Sequence, residues 1–181
     1  MTSRDSKVVS FVSANPCRSD VIQKIFYPSY RVAMRRLNKL VDYGYLKRWR
    51  ESPNEKYFYY TKSRPKQLDH LNTAAKTILY AKSLGYEVIE FRREVKLDNI
   101  RPDAVLGLKK GNQYGVLLVE VERFNNSLKK KIDKYEKIYK EKKYFSKFKI
   151  LYISNYKIES SIIDIINIKF DVINRDRKSV V

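Results

Sequence analysis

The polar, proline-containing segment Thr61-Lys62-Ser63-Arg64-Pro65-Lys66 interrupts the apolar pattern of this chain and separates two stretches built on different rules. Before it, apolar residues fall in three short helical runs followed by an aromatic-rich hairpin. After it, strands alternate with long helices. A chain patterned this way cannot be one helical bundle or one plain sheet. At roughly 150 residues per domain its 181 residues allow one ordinary domain or two small ones, each with a modest core, and the polar segment makes the expected division 1–65 and 66–181. No repeat of 20 to 50 residues is visible.

In the first part, Ser6 to Ala14 is helical, with Val8, Val9, Phe11 and Val12 inward, and Asn15-Pro16 closes it. Ser19 is placed to cap a second helix carrying Val21, Ile22, Ile25 and Phe26. Pro28-Ser29 opens a third helix, and Gly44 stands where a left-handed residue commonly ends one. On a 100° wheel Ala33, Leu37, Leu40 and Val41 share one face, while Arg31, Arg35, Asn38 and Lys39 share the other. Tyr45 to Arg50 and Lys56 to Thr61 are strand-like and are joined by the turn-forming Glu51-Ser52-Pro53-Asn54-Glu55.

Charge narrows the function. Lys and Arg number 39 against 20 Asp and Glu, a net charge of +19 with one neutral His. Such an excess points to a polyanion, because each Lys or Arg set on a phosphate releases condensed counterions. The excess is denser in the first part, where residues 1–66 carry 15 basic against 5 acidic side chains. The single Cys17 cannot form an internal disulfide, which suits a reducing compartment. Met1 to Val8 has no apolar run behind it that could serve in secretion, and no stretch approaches the 18 apolar residues of a membrane span. The expectation is a cytoplasmic protein with no membrane partner.

The run Val-Ala-Met-Arg-Arg-Leu-Asn-Lys-Leu-Val-Asp-Tyr-Gly-Tyr-Leu, Val32 to Leu46, resembles the recognition helix and following turn of winged helix-turn-helix DNA-binding domains. The resemblance implies that Arg31, Arg35 and Asn38 approach base edges in the major groove. Arg36 joins the DNA-facing set, and Lys39, Lys47, Arg48, Arg50 and Lys56 hold phosphates.

The second part begins with a helix from Lys66 to Leu84 whose inward stripe is Leu68, Leu71, Ala75, Ile78, Leu79 and Leu84, ended by Gly85. Strands follow at Tyr86–Arg92, Asp103–Leu108 and Tyr114–Glu122, then a helix from Ser127 to Lys143. That helix turns Leu128, Ile132, Tyr135 and Tyr139 inward and Lys130, Lys134, Lys137 and Lys140 outward. Strand Phe148–Ile153, helix Ile158–Ile166 and strand Lys169–Ile173 close the chain. This alternation gives an α+β protein whose second domain is a mixed α/β sheet flanked by helices. Asp103 begins one strand, and Glu120 and Glu122 lie two apart on the next, so the pleat puts both glutamates on one face. Carboxylates on an apolar strand are costly unless they meet a metal, a cation or water. The alternative is purely structural pairing with Arg101 or Arg123. His70 reads as a packed or hydrogen-bonded residue, since one His without a second ligand makes a poor zinc site. Most of the 15 tyrosines read as core.

Pro102-Asp103 on one strand and Glu120-Val121-Glu122 on the next resemble the PD-(D/E)XK nuclease-like fold. The resemblance implies a divalent-metal site, Mg²⁺ or Mn²⁺, on Asp103, Glu120 and Glu122. Glu122 occupies the position of the catalytic Lys, which argues against hydrolysis, although Lys129 or Lys130 on the following helix could reach back. Over its whole length the chain resembles the replication-relaxation family of plasmid and mobile-element proteins. The motifs are the winged helix, Leu68-Asp69-His70-Leu71-Asn72, Arg101-Pro102-Asp103, and Glu120-Val121-Glu122-Arg123 before a basic helix containing Tyr135. Glu122-Arg123-Phe124 departs from the family's Asp followed by Arg-Gly. The expected function is sequence-selective binding of double-stranded DNA, with no cofactor needed for binding, in replication, DNA relaxation and transfer, or their control. Alternatives are a metal-dependent DNA nuclease and a winged-helix transcriptional repressor. A homodimer and replication or transfer proteins are the partners such a role would add.

Overall fold

The structure, a computed structural model, describes residues 1–122, 128–143 and 147–174. It is a mixed α+β chain that divides into two compact units, Met1–Ala75 and Lys76–Val181. The division falls inside a helix rather than in Thr61–Lys66. The reason is local: the first turn of that helix is tied to the first unit, where Asn72 Oδ1 accepts from the Arg18 amide at 2.9 Å and Asp69 holds the Arg18 guanidinium at 3.3 Å.

In the first unit, α1 (Ser3–Ala14) starts earlier than expected because Thr2 and Asp5 form a capping box, each side chain accepting the other's backbone N–H. A two-residue strand, β1 (Cys17–Arg18), follows, then α2 (Ser19–Phe26) and α3 (Tyr30–Asp42). Ser19 is not the cap of α2 but its first residue. Its N–H is taken by Tyr57 O at 2.9 Å, and α2 starts without a side-chain cap. Ser29 does cap α3, accepting from Val32 N at 3.3 Å. Gly44, at φ 74°, lets the chain turn back so that the amides of Tyr45 and Leu46 both reach Leu40 O. β2 (Lys47–Trp49) and β3 (Phe58–Tyr60) then pair antiparallel, and β1 adds to the far side of β3, giving the order β1-β3-β2. Val8, Val12, Val21, Ile22, Leu37 and Phe58 are buried in this unit.

Helix α4 (Leu68–Ser83) carries Leu71, Ala75 and Ile78 buried as expected, but Leu84 is 48% exposed. It lies past the helix end, at the turn into Gly85 at φ 80°. A five-stranded sheet follows in the order β4-β5-β6-β7-β8: β4 (Glu87–Arg93), β5 (Ala104–Lys110), β6 (Gln113–Glu122), β7 (Phe148–Ser154) and β8 (Ile165–Ile168). The first three strands form an antiparallel meander. β6, β7 and β8 are parallel, and α5 (Leu128–Glu141) makes the crossover that a parallel β6–β7 pair requires. Tyr135, Ile138 and Tyr139 of α5 pack with Leu118, Ile150 and Ile163 on one face of the sheet.

The end of the chain reverses the expected order. The helix expected at Ile158–Ile166 is absent and its last residues are β8, while the strand expected at Lys169–Ile173 is α6 (Phe170–Asn174). The isoleucine run has no period that separates helix from strand. The edge of β7 decides it, by pairing Ile150 with Ile165 and Ile153 with Ile168. Asn167 then fixes the incoming segment, donating to Ile158 O at 2.7 Å and accepting from Ile158 N at 3.0 Å. The Arg123-Phe124 turn, the Ser127 helix start and the Leu128 side chain lie outside the described residues.

Candidate functional site

Two constellations stand out, one in each unit. On α3, burying Ala33, Leu37 and Leu40 against the first unit leaves Arg31, Arg35, Asn38 and Lys39 exposed on the opposite face. Lys47, Arg48 and Arg50 are exposed on and just after β2. Arg31, Arg35, Lys39 and Lys47 make no hydrogen bond or ion pair with any described residue, so their charges face solvent. Arg48 donates to Asn38 Oδ1 at 2.6 Å, which ties β2 to the exposed face of α3. The guanidinium carbons of Arg48 and Arg50 lie 4.4 and 4.5 Å from the Tyr57 ring centroid, and Arg64 lies 4.6 Å from that of Trp49. Stacked guanidiniums lose less freedom on meeting a phosphate than free ones do. Tyr57, Trp49 and Arg64 were missed in the sequence, though the two-residue spacing of Arg48 and Arg50 is a signal that both leave one face of a strand.

Two members of the expected DNA-facing set are placed differently. Arg36 turns toward α1, where its guanidinium is bonded to both oxygens of the buried Asp5. Burial raises the Asp5 pKa, but the Arg36 bond, with help from Thr2, outweighs it and holds the carboxyl at about 2. Arg36 is therefore a structural counterion. Lys56 is half-buried, with its ammonium 3.6 Å from Asp20.

In the second unit, strand register brings the expected acids to one place. Ala104 pairs with Val119, so Asp103 stands opposite Glu120 on the face covered by α5. Glu120 and Glu122 pair with Tyr152 and Ser154 of β7 on that same face. Asp103 Oδ2 accepts from Val121 N at 2.8 Å. Glu120 is 3% exposed and both its oxygens are engaged: Tyr135 Oη donates at 2.6 Å and Lys131 Nζ at 3.0 Å. The same ammonium lies 3.2 Å from Glu122 Oε2. Burial, then the neighbouring Asp103, raise the Glu120 pKa, while Lys131 and Tyr135 pull against them. Burial opposes the charge on Lys131, but Glu120, with Asp103 and Glu122, reverses this and leaves its pKa above the ordinary lysine value. Burial and Glu120 together push the Tyr135 phenol well up.

Lys131 is the residue sequence reasoning missed. Lys129 and Lys130 are exposed and point elsewhere. The signal was present, since Lys131 lies four and seven residues before Tyr135 and Ile138, on the inward stripe of α5. Nor does Arg101 pair with these glutamates; it bonds Glu94 at 3.0 Å. Arg123 lies outside the described residues. As arranged, the acids do not fit a divalent ion. Glu120 has no free oxygen, one oxygen of Asp103 is occupied, and the ammonium stands where a cation would bridge the glutamates. Among the described residues no three His, Cys, Asp or Glu side chains are gathered to hold a metal.

No helix among the described residues is long and apolar enough to cross a membrane. No family model matches the chain, and no curated protein matches it. Among solved structures it is weakly similar to the restriction endonuclease FokI. Against the DNA-bound form the identity is 11% with a TM-score of 0.28, covering 87% of this chain and 39% of that one. Against a second structure of FokI the identity is 11% with a TM-score of 0.30, covering 86% and 38%. The chain thus spans about two fifths of the length of the proteins it resembles, and the likeness is slight.

Proposed function

We propose that this chain binds double-stranded DNA sequence-selectively through its first unit, read as a winged helix, with α3 in the major groove and the β2–β3 hairpin on the backbone. The observation that carries the reading is the solvent-facing charge of Arg31, Arg35 and Lys39 on one face of α3, beside the tyrosine-supported arginines of β2. The order α1-β1-α2-α3-β2-β3, with β1 added to β3, supports it as well. Arg31, Arg35 and Asn38 are the base-edge groups, since Arg suits guanine and Asn suits adenine. Lys39, Lys47, Arg48 and Arg50 are the phosphate groups. The second unit is a nuclease-like domain whose acidic centre is closed by its own lysine and serves DNA contact or assembly. The setting in plasmid or other mobile-element replication, transfer or their control rests on the motif resemblance to the replication-relaxation family.

The test is selection of bound duplexes from a random library, followed by titration of the enriched sequence. An enriched motif whose preference is lost in Arg35→Ala is expected. Equal binding of all duplexes by the wild type would replace sequence-selective reading by backbone binding, and binding that ignores salt would remove DNA as the partner.

A further inference from the structure

We propose that the outward face of α5 is a second, sequence-independent docking surface for double-stranded DNA, engaging its phosphates through Lys130, Lys134, Lys137 and Lys140. The inference rests on the DNA-binding reading and extends it to the second unit. All four side chains are exposed, as is Lys129. Lys129, Lys130, Lys134 and Lys140 make no hydrogen bond or ion pair with any described residue, and Lys137 only approaches Glu141, at 3.9 Å. The face also shows Asp133 and Glu141, so lysines outnumber acids there by five to two. Glu136, at its margin, accepts from Ser160 Oγ at 2.6 Å.

This placement works against the helix itself. The first turn of α5 contains no acid, and Lys129 and Lys130 sit near the end where the macrodipole favours negative charge. Lys130 and Lys134 are four apart and Lys134 and Lys137 three apart, spacings at which like charges repel. Mixed pairs four apart, Lys129–Asp133, Asp133–Lys137 and Lys137–Glu141, offset part of this repulsion, but the first turn still lacks an acid. A polyanion laid along the stripe removes both penalties at once.

Chemistry and spacing identify the polyanion. At about 1.5 Å rise per residue, Lys130 to Lys140 span about 15 Å, and a DNA strand presents a charge about every 3.4 Å of its axis, so neighbouring lysines can meet neighbouring phosphates. The face carries no Arg, Asn, Gln or aromatic side chain, and lysine is a flexible point charge. It therefore has little with which to read base edges. A membrane surface is a poorer fit, because the apolar side of α5 is already buried on the sheet and leaves nothing to insert between lipids.

The full-length protein and the variant Lys130→Gln/Lys134→Gln/Lys137→Gln/Lys140→Gln are titrated with the selected duplex and with a scrambled one across a salt series, folding being checked by circular dichroism and Tm. With the fold intact, the slope of log K against log salt should become shallower by about 3 to 4, from about 0.9 per phosphate contact. Affinity for both duplexes should fall at least tenfold by the same factor, leaving their ratio unchanged. If the wild type binds duplex and the variant keeps its slope, this surface is refuted while the reading of α3 stands. A changed ratio also refutes it, since the face would then read sequence. No duplex binding by the wild type at any salt overturns both. Lysine-dependent binding to phosphatidylserine vesicles with unaltered DNA affinity assigns the face to lipid and overturns the proposal.

Discussion

Lys131 Nζ stands 3.0 Å from Glu120 Oε2, while Tyr135 Oη holds the other oxygen of the same carboxylate at 2.6 Å. A buried carboxylate is thereby satisfied on both oxygens from one helix, and α5 is locked over the end of β6. Removing the ammonium leaves the buried Glu120 carboxylate with the Tyr135 hydrogen bond but without a counterion. Lys131→Met should lower unfolding free energy in urea by about 2 to 4 kcal/mol, somewhat below the usual cost for a fully buried pair because Lys131 is 35% exposed. Adding Glu120→Gln should restore part of the loss; additive losses would show that the two do not act as a pair. The pH dependence has a defined sign. The folded pKa of Glu120 is raised, so its cost is present at neutral pH and is relieved as pH falls through that value toward the ordinary one. The Lys131→Met deficit should therefore shrink as pH is lowered from 7.

Asp5 and Arg36 give the opposite dependence. Asp5 falls from the ordinary 3.8 to about 2 because Arg36 overcomes the effect of burial. A depressed carboxyl pKa stabilises the fold above the unfolded value and ceases to do so as pH falls through the folded one, here between about 4 and 2. The difference between wild type and Arg36→Ala in urea unfolding should be fully present at pH 6 and should narrow toward pH 2. Taking the difference cancels the contrary trend of Glu120. A gap independent of pH would mean that Arg36 acts by packing alone.

Arg35 and Lys47 separate base reading from backbone contact. Arg35→Ala should weaken the selected duplex by about 1 to 3 kcal/mol and relax preference at one or two positions. Lys47→Ala should weaken all duplexes alike and flatten the salt slope by about 0.9. Fluorescence anisotropy on selected and scrambled duplexes distinguishes these outcomes. A uniform loss for Arg35→Ala would move Arg35 to the phosphate set and leave α3 without its main reader.

What could be read from the sequence and what could not follows a physical line. Helix α3, its Ser29 cap and its Gly44 stop were legible because periodicity and caps are local. The meeting of Asp103, Glu120 and Glu122 was legible because alternation on a strand is rigid and the two strands are consecutive. β1 was not, since Cys17–Arg18 becomes a strand only by pairing with β3, some forty residues on. Arg36 was misassigned because the wheel shows which residues leave the buried face of α3 but not that Asp5, one helix away, claims one of them. β8 and α6 exchanged places because an isoleucine run takes the structure its neighbours offer.

The acidic centre decides between a DNA-binding protein and a hydrolase. Catalysis at such a site needs carboxylate oxygens free to hold a cation, a group to orient water, and positive charge facing the phosphate. Here Glu120 has both oxygens engaged, Asp103 accepts the Val121 amide, and the Lys131 ammonium already bridges the two glutamates. Opening the site to a metal would break the Lys131 contacts and leave that half-buried ammonium to find another partner. Supercoiled plasmid incubated with purified protein in Mg²⁺ or Mn²⁺ should therefore remain supercoiled, and Glu120→Gln should leave DNA affinity within about twofold, since no phosphate contact is assigned to it. Asp103→Asn is the paired control, because the amide keeps an oxygen for the Val121 N–H while removing the charge. Metal-dependent nicking by the wild type that disappears in Asp103→Asn would make Lys131 the missing catalytic cation rather than an internal counterion, and would replace the binding role of the second unit with that of a nuclease.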